Sequence, residues 1–376
     1  MNNHVTVLEI DGNALEHNLN YFKQKLQPKT KILAVVKAFG YGSDGIKVAQ
    51  FLEDKVDYFA VAYASEGIAL REAEIKAPIL VLHPQVQNLQ SIVDYRLEPN
   101  LYSFKIFNAF LNLADTAPLM NYPIHLKFNT GLNRLGFWHA DISKILTSLK
   151  ETNHVKVQSL FSHLAASEDL EEKDFTTNQI NNFAYIAQQF YTHLGYKPML
   201  HILNTSGVVN YVKAQFDMVR IGIGLYGFGN NTEETSQLNN THNLTSIISQ
   251  IHFIEPGETV GYNRAFVAKR PSKSATIPIG HADGISRRLG NKKGHVLINN
   301  KKAPIIGNVC MDMIMVDVTK IECKEGDKVI IFNNQEMIQN IANISETIVY
   351  ETLTAISQRV KKTLKILKLY RFGSNL

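Results

Sequence analysis

The chain has 376 residues, of which 45% are hydrophobic and 19% are charged, so it can bury a large core and is long enough for two domains. Its 39 basic and 34 acidic residues are spread along the chain, and the net charge of +5 does not favour nucleic acid as a partner. Two cysteines cannot form a disulfide framework. The sequence lacks a signal sequence and an apolar run of about 18 residues, which predicts a cytoplasmic protein without a membrane partner.

A repeating pattern fills residues 30 to 230, where strand-like apolar runs alternate with segments whose apolar residues recur every three or four positions. Eight such units in roughly 200 residues predict a (β/α)8 barrel, and therefore the α/β fold class. We assign residues 1–235 to this barrel. The predicted strands start at residues 31, 58, 77, 98, 122, 155, 197 and 217, and the pattern is weakest at the fourth.

The character of the sequence changes after residue 235. The polar segment NNTEETSQLNNTHN at 230–243 is typical of a linker, and short strand-like runs separated by Gly, Pro and Asn follow it. We assign residues 236–376 to a mostly-β C-terminal domain with one helix near residues 345–360. The run VTVLEID at 5–11 is surplus to the barrel and is expected to pair with this second domain. The basic cluster RVKKTLKILKLYR at 359–371 is typical of a solvated face or an edge strand.

Polar residues occur where the predicted barrel strands end, which is the face at which such barrels carry their chemistry. Lys37 ends the first strand, Lys127 the fifth and His163 the sixth. The seventh and eighth strands add Asn204, Thr205 and Arg220. The sequence therefore predicts a site at this mouth of the barrel.

The segment GIGLYG at 222–227 matches a GxGxxG pattern, but no helical pattern follows it, and a tight turn of small residues explains it equally well. Barrels of this type often bind phosphate through amides after their last two strands, which here are near Thr205, Ser206, Gly222 and Ile223. Lys37 alone is typical of a surface lysine. Combined with a phosphate site and an arginine, it suits pyridoxal phosphate, whose aldehyde requires a lysine amine.

The whole chain resembles alanine racemase, a pyridoxal-phosphate enzyme with an N-terminal barrel and a C-terminal β domain. The resemblance implies a homodimer with shared active sites, which interconverts L- and D-alanine by two-base proton transfer at Cα of a pyridoxal phosphate aldimine and supplies D-alanine for peptidoglycan. It rests on seven segments in order: AVVKAFGYGSD, HLKFNTGLNRLGF, HILNTSG, MVRIGIGLYG, TVGYNRAF, IPIGHADG and IIGNVCMDMIMVDV.

For the cofactor, the resemblance implies that Lys37 holds it covalently and that Tyr41 donates a hydrogen bond to its phosphate. Arg220 would face the ring nitrogen and leave it unprotonated, because an arginine keeps its proton. His163, which by itself could be an ordinary polar strand end, would lie against the ring. The other expected cofactor contacts and supporting residues are Thr205, Ser206, Gly222, Ile223, Asn204 and His201.

For catalysis, the resemblance implies that Lys37 moves the D-face proton and that Tyr262, contributed by the second subunit, moves the L-face proton. The backbone of Met311 and the side chain of Asp312 would frame the substrate from that same subunit. The resemblance also implies a carbamylated Lys127 that orients Arg134, and Arg134 would contact the substrate carboxylate. We expect no metal.

Four positions depart from the family pattern. Asn129 stands where an aspartate is frequent, and Asn308 stands where an arginine precedes VCMD. His281 and Gln358 replace tyrosines that line the substrate entrance in some members.

Three alternative functions were weighed. A racemase of another small amino acid, such as serine, would share the fold and differ in the pocket near Tyr262 and Met311. A decarboxylase of basic amino acids would need a catalytic cysteine and acidic residues for the distal amine, and KFNTGLNRLG argues against it. A non-catalytic cofactor carrier would not need the C-terminal domain that contains Tyr262.

Overall fold

The computed structural model describes residues 4–117 and 119–366. The end of the predicted C-terminal domain and of the basic cluster, from residue 367 onward, lies outside the described residues. Within the described ranges every helix is too short or too polar to cross a lipid bilayer.

An eight-stranded parallel sheet forms the barrel, as the sequence predicts. The sheet closes between its two end strands through two backbone hydrogen bonds, from Asp217 N to Leu200 O and from Arg220 N to Leu203 O, both 3.0 Å. All eight predicted strands are present, including the fourth. They are β2 (Lys31–Val35), β3 (Tyr58–Val61), β4 (Ile79–Val81), β5 (Glu98–Leu101), β6 (Tyr122–Lys127), β7 (Val155–Phe161), β8 (Met199–His201) and β9 (Met218–Ile221).

Helices cover the outside of the barrel, so strands such as β3 and β4 are buried along their whole length and consist of apolar residues. Side-chain caps start several of these helices; Asp11, for example, accepts a hydrogen bond from Ala14 N at 3.0 Å. The helices are α1 (Gly12–Lys23), α2 (Lys37–Tyr41), α3 (Gly45–Leu52), α4 (Ala64–Glu72), α5 (Leu89–Asp94), α6 (Phe104–Thr116), α7 (Ile142–Lys150), α8 (Lys173–His193) and α9 (Thr205–Asn210).

A nine-stranded sheet forms the second domain, and β1 (Val7–Asp11), the first strand of the chain, belongs to it. β1 lies antiparallel to β10 (His242–Ile247) and parallel to β19 (Lys361–Lys365), which is the edge strand of the sheet. The sheet order is β11-β14-β17-β16-β15-β18-β10-β1-β19. The intervening strands are β11 (Gln250–Ile254), β14 (Ser272–Ile277), β15 (His295–Ile298), β16 (Lys301–Ile306), β17 (Ile314–Asp317) and β18 (Lys328–Phe332), with a separate hairpin of β12 (Thr259–Val260) and β13 (Phe266–Val267).

The helices between and after these strands differ from the prediction. The polar segment expected to be a linker contains α10 (Thr232–Ser236), which is capped by Asn231. Up to residue 366, the C-terminal domain has two helices where one was predicted, namely α11 (Gln335–Ser345) and α12 (Val349–Thr354). The helix that sequence reasoning missed is α11, which is capped by Asn334.

Candidate active site

Lys37 lies two residues beyond the end of β2, at the start of the single turn α2. Ala38 and Phe39 have left-handed backbone angles, with φ of 52° and 55°, a conformation that costs energy for residues other than glycine. Glu66 holds this turn in place, because its Oε1 accepts a hydrogen bond from Ala38 N at 2.6 Å and its Oε2 accepts one from Ala62 N at 2.7 Å. The turn therefore points the chain away from the strand and fixes the position of Lys37.

The pKa of the Lys37 amine is lowered, first by burial and then by the positive charges of Arg134 and Arg220, while Glu66 acts in the opposite direction. A lowered pKa raises the fraction of neutral amine, which is the form that attacks a carbonyl. The local environment of Lys37 thus suits a nucleophilic lysine.

Tyr41 ends the same turn and is buried, with its ring stacked on that of Tyr226 at a centroid distance of 4.8 Å. Its hydroxyl lies against Gly222 so closely that a Cβ atom at Gly222 would be 2.4 Å from it. Thr205 Oγ1 accepts a hydrogen bond from Gly222 N at 3.0 Å, and Asn204 caps α9 by accepting one from Gly207 N at 2.9 Å. The residues predicted to bind phosphate therefore meet at one place, together with the buried Ser206 and Ile223.

Arg220 is only 4% exposed although it carries a charge. Its guanidinium donates to two backbone carbonyls, Ser162 O at 2.8 Å and Ile202 O at 2.9 Å. It also contacts Nδ1 of His201 at 2.8 Å and Nδ1 of His163 at 3.0 Å. Burial lowers the pKa of Arg220 to about 9, so it remains a cation at neutral pH. Because the guanidinium can only donate, both histidines must present an unprotonated Nδ1 to it.

The two histidines are consequently neutral. Burial and the charge of Arg220 lower the pKa of His163 and of His201 well below the usual range. His201 is further packed on Phe161, whose ring is parallel to it at 4.7 Å. His163 lies in the same group as Lys37, Lys127 and Arg134, since the charges of all three lower its pKa further.

Lys127 ends β6 and is buried. Burial and the charges of Arg134, Arg220 and Lys37 lower its pKa to about 7. The segment after it folds back, with Phe137 N donating to Lys127 O at 2.8 Å, so that Arg134 comes close to Lys127. Asn129 organises this fold-back as a hydrogen-bond acceptor for Gly131 N and Asn133 N, a task that an amide oxygen performs as well as a carboxylate.

Tyr262, Met311 and Asp312 form a separate group on the C-terminal domain. Tyr262 is 73% exposed and Met311 59% exposed, which is unusual for large apolar side chains. Asn308 holds the turn that carries Tyr262 by donating a hydrogen bond from Nδ2 to Tyr262 O at 3.1 Å. Tyr262 and Met311 thus project from the surface, and Asp312 pairs with Arg359 of the same domain.

The residues at the barrel mouth fit pyridoxal phosphate. Four basic side chains lie close enough to affect one another's protonation: Lys37, Lys127, Arg134 and Arg220. At Lys37, the negative charge of Glu66 acts against their effect on the pKa. Such a surplus of positive charge suits a ligand with an anionic phosphate. Glu66 and Tyr226 were not found from the sequence. Only the position of Glu66 in the first turn of a helix gave a signal.

Comparisons with known proteins agree along the whole chain. The family model of the alanine racemase N-terminal domain matches residues 10–229, and that of the C-terminal domain matches residues 241–364. The chain is 37% identical over 366 residues to the alanine racemase of Fusobacterium nucleatum, covering 95% of this chain and 99% of that protein. It is 33% identical over 367 residues to alanine racemase 1 of Caldanaerobacter subterraneus subsp. tengcongensis, covering 95% and 94%.

Solved structures give the same result. The alanine racemase of Clostridium difficile 630 superposes with a TM-score of 0.90 at 30% identity, covering 96% of each chain. The alanine racemase of Bartonella henselae, whose structure has covalently bound pyridoxal phosphate, superposes with a TM-score of 0.85 at 28% identity, covering 96% of this chain and 99% of that one. The predicted family is confirmed: the chain belongs to the alanine racemase family.

Proposed function

We propose that the protein interconverts L-alanine and D-alanine, with pyridoxal phosphate as the cofactor and Lys37 as the lysine that carries it. The observation that supports this most is the placement of Lys37 beside Arg220, a buried cation whose partners among the described residues are all uncharged. When bound, the cofactor acidifies the Cα proton of the amino acid. Arg220 would face the ring nitrogen as a donor, which limits that acidification and favours return of the proton to Cα.

Racemisation requires an acid–base group on each face of Cα. Lys37, with its lowered pKa, is suited to hold the proton on one face. We assign the other face to the partner subunit's Tyr262, because the exposed Tyr262 of each chain projects from the C-terminal domain. The protein would then act as a homodimer with shared sites.

The substrate would be held by residues from both subunits. Arg134 is the cation available for the substrate carboxylate, and a carbamate on Lys127 would orient it by replacing charge repulsion with an ion pair. Met311 and Asp312 would frame the substrate from the C-terminal domain of the partner. The remaining cofactor contacts are Tyr41, His163, Asn204, Thr205, Gly222 and Ile223, as the sequence predicts.

The test is to add the cofactor to the protein, supply single L- or D-amino acids from a panel, and measure their racemisation by circular dichroism. We expect alanine to be racemised far faster than serine, and Lys37→Ala to lose the activity. Racemisation of serine but not of alanine, or an activity that does not need the cofactor, would contradict the proposal.

The cellular role follows from the same proposal: D-alanine made in the cytoplasm would supply peptidoglycan synthesis. Expression of the wild-type protein should allow a bacterial strain that requires D-alanine to grow without it. Expression of Lys37→Ala should not. Cell fractionation would test the cytoplasmic location, and recovery of the protein outside the cytoplasmic fraction would contradict it.

A further inference from the structure

A chain of four hydrogen bonds crosses the interior of the barrel. Arg220 Nη1 lies 2.8 Å from Nδ1 of His201, and Nε2 of His201 lies 2.9 Å from Ser159 Oγ. Ser159 Oγ lies 2.6 Å from Nδ1 of His125, and Nε2 of His125 lies 2.7 Å from Glu98 Oε2. The two histidines and the serine are fully buried, and the Glu98 side chain is 12% exposed. The proposed function uses Arg220 but not the other four.

The chain connects the two ends of the barrel. Its members come from five adjacent strands, β9, β8, β7, β6 and β5 in that order. Glu98 is the first residue of β5, so it lies at the amino end of the strands, whereas His201 ends β8 at the mouth. A carboxylate at the far end of the barrel is thus linked by hydrogen bonds to the arginine of the candidate site.

The direction of every hydrogen bond in this chain follows from the donor end at Arg220 and from the rule that a buried hydroxyl proton is paired. A guanidinium can only donate, so Nδ1 of His201 must accept, and its Nε2–H then donates to Ser159. The one hydroxyl proton of Ser159 is left for Nδ1 of His125, whose Nε2–H donates to the carboxylate of Glu98. Both histidines are therefore neutral and carry their proton on Nε2. An ionised Glu98, which can only accept, agrees with this order from the other end.

We propose that Glu98 is a positioning residue for Arg220: through Ser159, it fixes the tautomers of His125 and His201, so that His201 always turns a lone pair toward the guanidinium. If His201 carried its proton on Nδ1, two donors would face each other in a buried site, and the guanidinium would have to move. The consequence for catalysis rests on the proposed function, in which Arg220 contacts the cofactor ring.

The chain does not conduct protons to the site. Transfer of a proton along it would require the guanidinium to accept one, which it cannot do while it is charged. The groups packed around this chain of hydrogen bonds also hold its side chains in one arrangement. Phe161 covers His201 and lies 5.5 Å from the Arg220 guanidinium. Burial, the charge of Glu98 and a hydrogen bond to Glu98 raise the pKa of the Tyr58 hydroxyl, so that Tyr58 stays protonated beside Glu98.

Neutron diffraction from deuterium-exchanged crystals of the protein tests the tautomers directly. We expect deuterium on Nε2 and none on Nδ1 of both His125 and His201 in the wild type. In Glu98→Gln, the amide can donate as well as accept, so deuterium should be divided between the two nitrogens of His125. Deuterium on Nδ1 of His201 in the wild type would overturn the inference.

Activity and cofactor binding test the effect on Arg220 in the holoenzyme. Residues that orient a functional group through a hydrogen bond typically contribute about 10-fold or more, so we expect roughly a 10-fold lower kcat and weaker cofactor binding in Glu98→Gln and in Ser159→Ala. Ser159→Thr, which keeps the hydroxyl, should restore both. Asp115→Asn is the matched control, because it removes a carboxylate from the pair with His154, 3.3 Å apart on the outside of the barrel.

The proposed function and the positioning role of Glu98 can be contradicted separately. A wild-type protein that does not racemise alanine would contradict the proposed function and would leave the tautomer result to stand by itself. The wild-type protein could instead racemise alanine while Glu98→Gln and Ser159→Ala have the same tautomers, kcat and cofactor binding as the wild type. That result would contradict the role of Glu98 alone.

Discussion

At the scale of single residues, burial changes the acid–base chemistry of two lysines at the site. Lys37 and Lys127 both have lowered pKa values, first because they are buried and then because they share the barrel mouth with Arg134 and Arg220. Like charges in a poorly solvated site favour loss of a proton from the weakest cation, which is the amine. Burial and neighbouring charge thus shift both amines toward the neutral form without a dedicated base.

Lys127 should carry a carbamate. Only a neutral amine reacts with carbon dioxide, and a pKa of about 7 means that Lys127 loses its proton as the pH rises through neutrality. Protein equilibrated with 13C-bicarbonate should therefore show a carbamate carbonyl signal by NMR that is stronger at pH 8 than at pH 6. Lys127→Ala serves as the control and should lack the signal. An identical spectrum for the two proteins would rule the carbamate out.

Lys37 should be the lysine labelled when the holoenzyme is reduced with borohydride. It is the lysine that follows β2 in the strained turn, and Tyr41 and Gly222, which are expected to bind the phosphate, lie against each other at the end of that turn. Peptide mapping should find the reduced cofactor on Lys37, and Lys37→Ala should lower racemisation by at least the roughly 10²–10⁴-fold typical of a lost acid–base group. Label on Lys127 instead would show that the roles of the two lysines are exchanged.

The sequence was sufficient for residues that belong to recognisable segments. Lys37, Tyr41, Thr205 and Gly222 were all named before the structure brought them together. Glu66 and Glu98 were not, because each acts across space on a residue at least 25 positions away; Glu66 stands out only as an acidic residue in the first turn of α4. A long-range hydrogen bond leaves no trace in local periodicity, so such residues emerge only when the strands are placed side by side.

At the scale of elements, hydrogen bonds and ion pairs between loops of the C-terminal domain hold the segment around Met311 and Asp312, which is predicted to frame the substrate. His281 N donates to Cys310 O at 2.9 Å and Ala282 N to Met311 O at 3.0 Å. Gly280 has no room for a side chain, because a Cβ atom there would lie 2.3 Å from Met311 O. The position of the Met311 peptide is therefore set by the segment that starts at Gly280.

Arg359 completes this arrangement. Its guanidinium bridges Asp283 and Asp312, with N–O distances of 2.6 Å to each, and Asp283 is only 1% exposed. Because one end of the bridge is buried, it restrains Asp312 better than a surface ion pair would.

We expect Arg359→Ala to raise the KM for alanine by about 10-fold, with a smaller change in kcat, since it would loosen a segment that is proposed to contact the substrate and leave Lys37 untouched. Arg359→Lys should recover part of the loss. Arg288→Ala is the control, because Arg288 makes an exposed ion pair with Glu346 at 2.5 Å. Steady-state kinetics on the four proteins would decide, and an unchanged KM in Arg359→Ala would contradict the expectation.

Helix α11 shows why element prediction failed in one place. Met337, Ile338, Ile341 and Ala342 recur at helical spacing, and Asn334 is a strong cap, so the signal was present. It was missed because the surrounding sequence alternates in the way that short strands do. In contrast, the barrel strands were found because a buried parallel strand is apolar along its whole length.

At the scale of the whole molecule, the site proposed for catalysis takes its residues from two subunits. Tyr262 and Met311 are exposed, whereas the residues that would bind the cofactor are buried in the barrel mouth. A two-fold dimer would bring the C-terminal domain of one subunit to the barrel of the other and create two equivalent sites.

Mixing two inactive variants tests this arrangement. Homodimers of Lys37→Ala and of Tyr262→Phe should each be nearly inactive. After dissociation and random reassociation in equal amounts, two-fold symmetry leaves about a quarter of all sites intact, so activity should return to roughly that fraction of the wild type. If subunit exchange is confirmed by mass and no activity returns, Tyr262 acts within its own chain or not at all.

The pairing of β1 with β10 has a consequence for how the protein is made. These two strands are adjacent and antiparallel, yet residues 12–241 separate them, so the whole barrel is an insertion between the two arms of a hairpin. At a synthesis rate of about 5–20 residues per second, β1 leaves the ribosome roughly 10–50 s before its partner exists. During that interval the barrel can close while β1 remains an unpaired strand with an exposed edge. A ribosome stalled when residue 235 has just left the exit tunnel should therefore display a folded barrel whose amino-terminal strand is still unpaired. At this stage the exposed edge of β1 makes the chain prone to aggregation.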